Sequence, residues 1–122
     1  METLNVLATP LQICCPDKKT GWYRDGFCQT DMTDRGIHTV CCIVTDEFLA
    51  FSQEMGNDLS TPREEFNFPG LVAGQRWCVC AGRWLEAYHA GKACPVVLEA
   101  CHEETLAIIP LSYLKEFDHQ KF

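Results

Sequence analysis

Two long stretches without apolar periodicity divide this sequence, and they limit what the chain can fold into. The segments 16–36 and 58–75 are polar and interrupted by glycine and proline, so they predict loops rather than helices or strands. The apolar segments around them are all short. Short strands and helices connected in this way favour a compact α+β domain with a small, mostly antiparallel sheet, two or three short helices and these two long loops.

Local patterns assign an element to each apolar segment. Short runs of β-branched and aromatic residues bounded by turn residues predict strands, and apolar residues on one face next to capping residues predict helices. The first helix has the clearest start, because Thr45 or Asp46 can cap its first turn. On these grounds the sequence predicts strands at 37–44, 76–80 and 95–101, and helices at 45–57, 82–92 and 111–117.

Length and charge exclude several classes of protein. A chain of 122 residues is enough for one domain, which we expect to span residues 1–122. A formal net charge of −7 disfavours nucleic acid as a partner, because binding to phosphate backbones needs clustered Lys and Arg. No apolar run approaches the roughly 20 residues of a membrane helix, and the N-terminus lacks the basic leader of a signal peptide. We therefore expect a cytoplasmic protein that binds neither nucleic acid nor membrane.

Nine cysteines make the chain cysteine-rich for its length. Their number is odd and most of them lie inside apolar runs, whereas disulfide-based domains usually combine an even number with a short secreted chain. The sequence therefore predicts reduced thiols that pack as small hydrophobic side chains.

The segment RWCVCAGRWLEAYHAG (76–91) places Cys78 and Cys80 where a predicted strand turns into a predicted helix. Residues two apart on a strand face the same side, so both sulfurs would point one way. Zinc needs two further Cys or His ligands, and no second closely spaced pair supplies them. We therefore expect no bound metal and no cofactor, with both thiols packed against the helix and a zinc site as the alternative. The nearest further ligands are Cys28, His38, Cys41 and His102.

A second possible reactive site combines Cys28 with His38. A nucleophilic cysteine needs a neighbouring base or cation to lower the pKa of its thiol. These two residues lie in the segments YRDGFC and GIHTVC, and they are the candidate catalytic residues. The alternative is that RDG forms an ordinary turn, in which Asp25 accepts hydrogen bonds from backbone amides and Arg24 pairs with a carboxylate.

Other polar residues predict a ligand pocket between the 16–36 loop, the 58–75 loop and the 76–83 junction, because long loops on a rigid scaffold often carry binding residues. Arg24 and Arg83 would hold a small carboxylate or phosphate with their planar guanidinium groups. Structural turns and surface ion pairs are the alternative. The candidate ligand-binding residues are Arg24, Asp25, His38, Asn57, Asp58, Arg76, Cys78, Cys80, Arg83 and His102.

Several motifs together resemble one family. The strings GWYRDGFC, GIHTVCCIVTDEFLAFS, GNDLSTP and FPGLVAGQRWCVCAGRWLEAYHAGKACPVVLEACHEETL are similar to the bacterial domain of unknown function 2237 family. The resemblance implies a single-domain prokaryotic protein and no particular activity. It implies that Cys14, Cys28, Cys41, Cys78 and Cys80 are typical of the family. Cys15, Cys42, Cys94 and Cys101 depart from its pattern, and Cys101 stands where threonine is usual.

Three functions stay open at this point. The leading hypothesis is a domain that binds a small molecule or anion, with enzymatic activity undecided. The first alternative is a thiol- or zinc-dependent protein that uses Cys78 with Cys80, or Cys28 with His38. The second is a structural or interaction module, since the sequence has no P-loop, Gly-x-Ser-x-Gly or His-Glu-x-x-His motif.

Overall fold

A computed structural model of the chain describes residues 3–15, 26–30, 34, 37–61 and 70–121. Within these residues it confirms the α+β class, with one two-stranded antiparallel sheet and three short α-helices. None of the helices in the described part of the chain is long and apolar enough to cross a membrane. The elements are β1 (Val40–Ile43), α1 (Asp46–Glu54), β2 (Arg76–Val79), α2 (Ala81–His89) and α3 (Leu111–Glu116), with 3₁₀ turns at Leu98–Ala100, Glu103–Ala107 and His119–Lys121.

The two strands pair in a register that sets Cys41 opposite Cys78. On its other edge β1 bonds to the segment after α2, because Val97 N donates to Cys41 O at 2.9 Å and Ile43 N donates to Pro95 O at 2.8 Å. The backbone groups of Cys41 therefore point away from β2. In an antiparallel ladder this makes Cys41 and Cys78 a non-hydrogen-bonded pair, the kind in which opposite side chains lie closest together.

The predicted strand at 95–101 does not form as a regular strand. Val96 makes isolated bridges to Cys42 and Asp118, and the residues Leu98–Ala100 turn into a 3₁₀ helix. The run is buried, as its apolar composition indicates. Periodicity alone cannot distinguish a short buried strand from a buried turn, which explains the difference.

Helix α1 begins where the sequence predicts. The Thr45 side chain caps it by accepting a hydrogen bond from Phe48 N at 3.1 Å. Its buried face carries Phe48 and Leu49. Gly56 ends the helical turn with a φ of +88°, a conformation that glycine adopts without steric cost.

Aromatic side chains join α2 to the end of α3. Trp84 is fully buried, and its Nε1 donates to Cys94 O at 3.1 Å, so the one polar atom of the ring is satisfied. Its ring stacks on Tyr88 and meets Phe117 edge to face, with centroids 5.6 Å apart in the second pair. This packing fixes α2 against the C-terminal part of the chain.

Candidate functional site

Two disulfides join distant parts of the chain, Cys14 to Cys41 and Cys28 to Cys78. Their Cα atoms are 5.7 Å and 5.3 Å apart, within the usual range for bonded cysteines. The prediction of nine reduced thiols is therefore wrong for these four residues. It failed because an odd count and apolar neighbours do not reveal which sulfurs the fold brings together. The other five cysteines are free thiols.

The two disulfides lie side by side in the core, and we call Cys14, Cys28, Cys41 and Cys78 the four-cysteine cluster. The Sγ atoms of Cys14, Cys28 and Cys78 all lie within 4.8 Å of one another. Each of the four residues is at most 1% exposed. Cys41 and Cys78 come from facing strands, whereas Cys14 and Cys28 come from segments that precede the sheet. The pairing is interleaved, because the first cysteine bonds to the third and the second to the fourth.

Gly26 brings the two segments outside the sheet into contact. Its carbonyl oxygen accepts hydrogen bonds from Cys14 N at 2.8 Å and Cys15 N at 3.2 Å. Gly26 has a φ of +88°, and a Cβ atom built there would lie 2.7 Å from Cys15 O. Because only glycine combines this conformation with so close an approach, Gly26 sets the position of Cys28 relative to Cys14.

His38 pairs with a buried carboxylate in this structure. Its Nδ1 lies 2.7 Å from Oδ1 of Asp34, whose side chain is fully buried while the His38 side chain is 41% exposed. Burial alone raises the pKa of the Asp34 carboxyl, but hydrogen bonds from the backbone and ring of His38 and from Thr30 outweigh it, and the pKa is lowered. Cys28 is meanwhile bonded to Cys78, so its pairing with His38 in catalysis stays a prediction for a reduced state.

Of the arginines among the predicted ligand-binding residues, the structure describes Arg76 and Arg83 but not Arg24. Nη1 of Arg83 donates to Met55 O at 3.0 Å and lies 3.4 Å from Oε1 of Glu86, so this residue links α2 to the end of α1. Arg76 is exposed at the start of β2. Arg24 and Asp25 lie outside the described residues. The shared anion pocket therefore stays a prediction.

The remaining polar candidates stabilise local backbone. The backbone amide of Asn57 donates to Ser52 O at 2.7 Å after α1. Oδ1 of Asp58 accepts hydrogen bonds from the backbone amides of Ser60 and Thr61. These contacts are those of a helix end and a turn, which is the structural alternative for both residues.

His102 also has a structural role at the start of a 3₁₀ turn. Its Nδ1 accepts a hydrogen bond from Glu104 N at 3.0 Å, which requires that this nitrogen carry no proton. Burial lowers the pKa of His102 more than the nearby carboxylates of Glu104 and Glu103 raise it. The ring is therefore favoured in its neutral form.

Cys78 and Cys80 have different environments. Cys78 lies in β2 within the four-cysteine cluster, whereas Cys80 precedes α2 as its N-cap and is a half-buried free thiol. The strand ends at Val79, so the same-side rule for residues two apart no longer applies at Cys80.

The comparison with known families gives a match over nearly the whole chain. The family model described as "Uncharacterized protein conserved in bacteria (DUF2237)" matches residues 4–118. The chain belongs to this family. No curated protein matches the chain. Four of the five cysteines that the resemblance marks as typical form the cluster, and its four departures are all free thiols.

Two parts of the site were missed by reasoning from the residues. Cys14 had a signal only in the resemblance, which groups it with Cys28, Cys41, Cys78 and Cys80, whereas Cys41 was also named as a possible zinc ligand beside Cys78. For Asp34 the signal in the sequence was weaker. It lies four residues before His38, and this spacing does not predict a contact until the loop geometry is known.

Proposed function

We propose that the protein is a thiol–disulfide redox protein whose centre is the four-cysteine cluster. The observation that carries this proposal is the proximity of the two disulfides, with three sulfurs within 4.8 Å of one another. Disulfides that only cross-link a fold have no need to lie side by side. Sulfurs this close allow a thiolate released from one disulfide to attack the other, so that the two bonds form one exchanging unit.

The proposed reaction uses a dithiol partner, either a protein or a small molecule. One thiolate of the partner attacks a sulfur of the Cys28–Cys78 disulfide, which forms a mixed disulfide and releases the other cysteine as a thiolate. The second thiolate of the partner then attacks the mixed disulfide, and the partner leaves as a disulfide. Two electrons and two protons pass to the protein for each disulfide reduced.

Burial of the cluster determines how a partner would reach it. All four sulfurs are shielded, so exchange requires a local opening of the chain. Cys41 and Cys78 are held in paired strands, whereas Cys14 and Cys28 lie outside them. We therefore propose that opening begins in the segments carrying Cys14 and Cys28, and that external thiols react slowly with the closed form.

A cytoplasmic location, which we retain as part of the proposal, fits a redox role better than a purely structural one. The cytoplasm keeps thiols reduced, and disulfides found there are usually transient, catalytic or redox-sensing. A cluster that changes state with the thiol balance of the cell would be such a case.

The test is a redox titration of the folded protein. Samples are equilibrated at defined ratios of reduced to oxidised dithiothreitol, trapped with an alkylating reagent in denaturant, and mapped by mass spectrometry. We expect the four cluster cysteines to change state reversibly, while the other five stay thiols throughout. Circular dichroism of the same samples reports folding.

Matched variants sharpen this test. Cys28→Ser with Cys78→Ser should leave one two-electron step, and Cys101→Ser should leave both steps unchanged. If reduction of the wild type unfolds the chain, the disulfides are structural and the redox proposal fails. It also fails if the cluster cysteines are thiols under all conditions.

A further inference from the structure

We infer that the four-cysteine cluster, when reduced, binds one zinc ion through all four sulfurs. The inference deepens the proposed function, because it needs the same four cysteines as thiols. It assigns to the reduced state a ligand of its own, so that oxidation and metal binding would compete for the same sulfurs.

Distances within the cluster fit a tetrahedral zinc site. Zinc–thiolate bonds are about 2.3 Å, which places the four sulfurs of a tetrahedral site about 3.8 Å apart. Three of the sulfurs already lie within 4.8 Å of one another, and the fourth, of Cys41, is bonded to that of Cys14 but lies outside this mutually close set. Reduction removes the bonds that hold sulfurs in pairs, and spreading them to the edges of a tetrahedron requires shifts on the order of 1–2 Å.

The backbone holds the four ligands before any metal arrives. Cys41 and Cys78 face each other as a non-hydrogen-bonded pair across β1 and β2. Hydrogen bonds from the amides of Cys14 and Cys15 to Gly26 O, two residues before Cys28, join the segments that carry the other two ligands. A site with four protein ligands and buried sulfurs has no open coordination position, so its zinc would be structural or regulatory rather than catalytic.

This site also explains why ligand spacing in the sequence predicts no metal. A zinc site usually shows two closely spaced ligand pairs, and the sequence offers only Cys78 with Cys80. In the structure neither Cys41 nor Cys80 belongs to the set of three mutually close sulfurs, but Cys41 is bonded to one of its members, Cys14, and the ligands other than Cys78 come from three separate segments. Zinc thiolates form only after the thiols lose their protons, so binding should weaken as pH falls.

The experiment titrates the fully reduced wild-type protein with Co²⁺ and then Zn²⁺ under anaerobic conditions. We expect one equivalent of Co²⁺ to give the ligand-field and charge-transfer absorption of tetrahedral thiolate coordination, and one equivalent of Zn²⁺ to abolish it. Zinc should then protect Cys14, Cys28, Cys41 and Cys78 from alkylation, as mapped by mass spectrometry. Absence of tetrahedral thiolate absorption, or protection of other cysteines, overturns the inference.

Two variants provide the control. Cys78→Ser should weaken zinc binding by more than about 100-fold, because loss of a ligand costs at least as much as loss of a group that only orients one. Cys101→Ser, which removes a buried sulfur outside the cluster, should leave the affinity within about twofold. Equal affinity of Cys78→Ser and wild type contradicts the site, and the protection map needs no variant to fold.

The two proposals fail in different ways. If the cluster cycles between disulfides and thiols but the reduced protein binds no metal, only the zinc inference fails. If the reduced protein binds zinc at these sulfurs but no disulfide forms at any potential tested, the redox proposal fails and the metal site stands.

Discussion

Cys41 and Cys42 are neighbours in β1, yet they take part in different chemistry. Both are fully buried. Cys41 is bonded to Cys14 and belongs to the four-cysteine cluster, whereas Cys42 is a free thiol. Successive residues of a strand point to opposite sides of the sheet, so one strand separates the two environments. Burial alone therefore does not decide whether a cysteine in this core is oxidised.

The neighbours on each side make the difference. Opposite Cys41 in the register lies Cys78, and opposite Cys42 lies Trp77. Burial first, and then a hydrogen bond with Cys94, raises the pKa of the Cys42 thiol, so it stays protonated and unreactive. Burial likewise raises the pKa of Cys101. We call Cys42, Cys94 and Cys101 the three buried thiols. For these three residues, packing as small hydrophobic side chains is the correct description.

The largest expected difference between the two groups is their effect on stability under oxidising conditions. Cys28→Ala with Cys78→Ala removes a cross-link between residues 50 apart, and should lower the free energy of unfolding by about 4 kcal/mol. Denaturant unfolding with and without a reductant measures this loss. In the reductant the difference from wild type should shrink to the cost of the two deleted buried sulfur atoms, about 1 kcal/mol each.

The matched control replaces two of the three buried thiols. Cys42→Ala with Cys94→Ala should lower the free energy of unfolding by the same amount in both buffers, because no covalent bond is lost. A loss that disappears in reductant would show that Cys42 and Cys94 also form a disulfide and would end the comparison.

A smaller effect is expected at Asp34, whose hydrogen bonds with Thr30 and His38 involve no sulfur. Asp34→Ala removes hydrogen bonds to His38 and Thr30, and should cost about 2 kcal/mol at neutral pH. The pKa of this carboxyl is lower in the folded than in the unfolded protein. Its contribution is therefore complete above the unfolded pKa, about 4, and is lost as pH falls through the folded pKa.

Unfolding at several pH values checks this expectation. The difference in the free energy of unfolding between wild type and Asp34→Ala, which we call the gap, should be constant near neutrality and should become smaller in acid. Asp34→Asn keeps the shape of the side chain but has no carboxyl to titrate. Its stability should therefore not show the loss in acid that Asp34 causes in the wild type. A gap that widens as pH falls would show that folding raises the pKa of Asp34 instead of lowering it.

A single substitution among the three buried thiols should lower the free energy of unfolding by less. Cys42→Ala deletes one buried sulfur atom and leaves a small cavity, with an expected cost of about 1 kcal/mol. The cost should be independent of reductant. Rates of alkylation in the native protein test the packing separately, since Cys15 and Cys80 are partly exposed and should react long before Cys42.

The smallest effect is expected for Cys101→Thr. The Cys101 thiol donates to Val97 O at 3.3 Å, and a threonine hydroxyl can make the same hydrogen bond in a similar volume. We expect a change within about 1 kcal/mol. Cys101→Val lacks the donor and should be the less stable of the two, as measured by denaturant unfolding. Equal stability would show that the hydrogen bond contributes nothing.

Sequence reasoning succeeded where the signal was local. Thr45 caps α1 because a hydroxyl three residues before a backbone amide can reach it, and that geometry is contained in the sequence. The turn from β2 into α2 within RWCVCAGRW was predicted for the same reason. Helix ends, caps and short strands depend on neighbours along the chain.

It failed where the answer depends on how distant segments meet. The partners in each disulfide are 27 and 50 residues apart, and no local pattern relates them. The same holds for Val96, whose contacts with Cys42 and Asp118 replace the expected regular strand. In the candidate site, the family pattern grouped all four cluster cysteines but also included Cys80, while the zinc alternative named Cys28 and Cys41 beside Cys78 and missed Cys14.

The interleaved order of the disulfides has a consequence for the integrity of the chain. Cys14 bonds to Cys41 and Cys28 to Cys78, so the two covalent loops overlap. A single peptide bond cut anywhere between residues 14 and 78 still leaves the two fragments joined by at least one disulfide. In its oxidised form the molecule should therefore tolerate nicking by a protease across more than half of its length and migrate as one species until the disulfides are reduced.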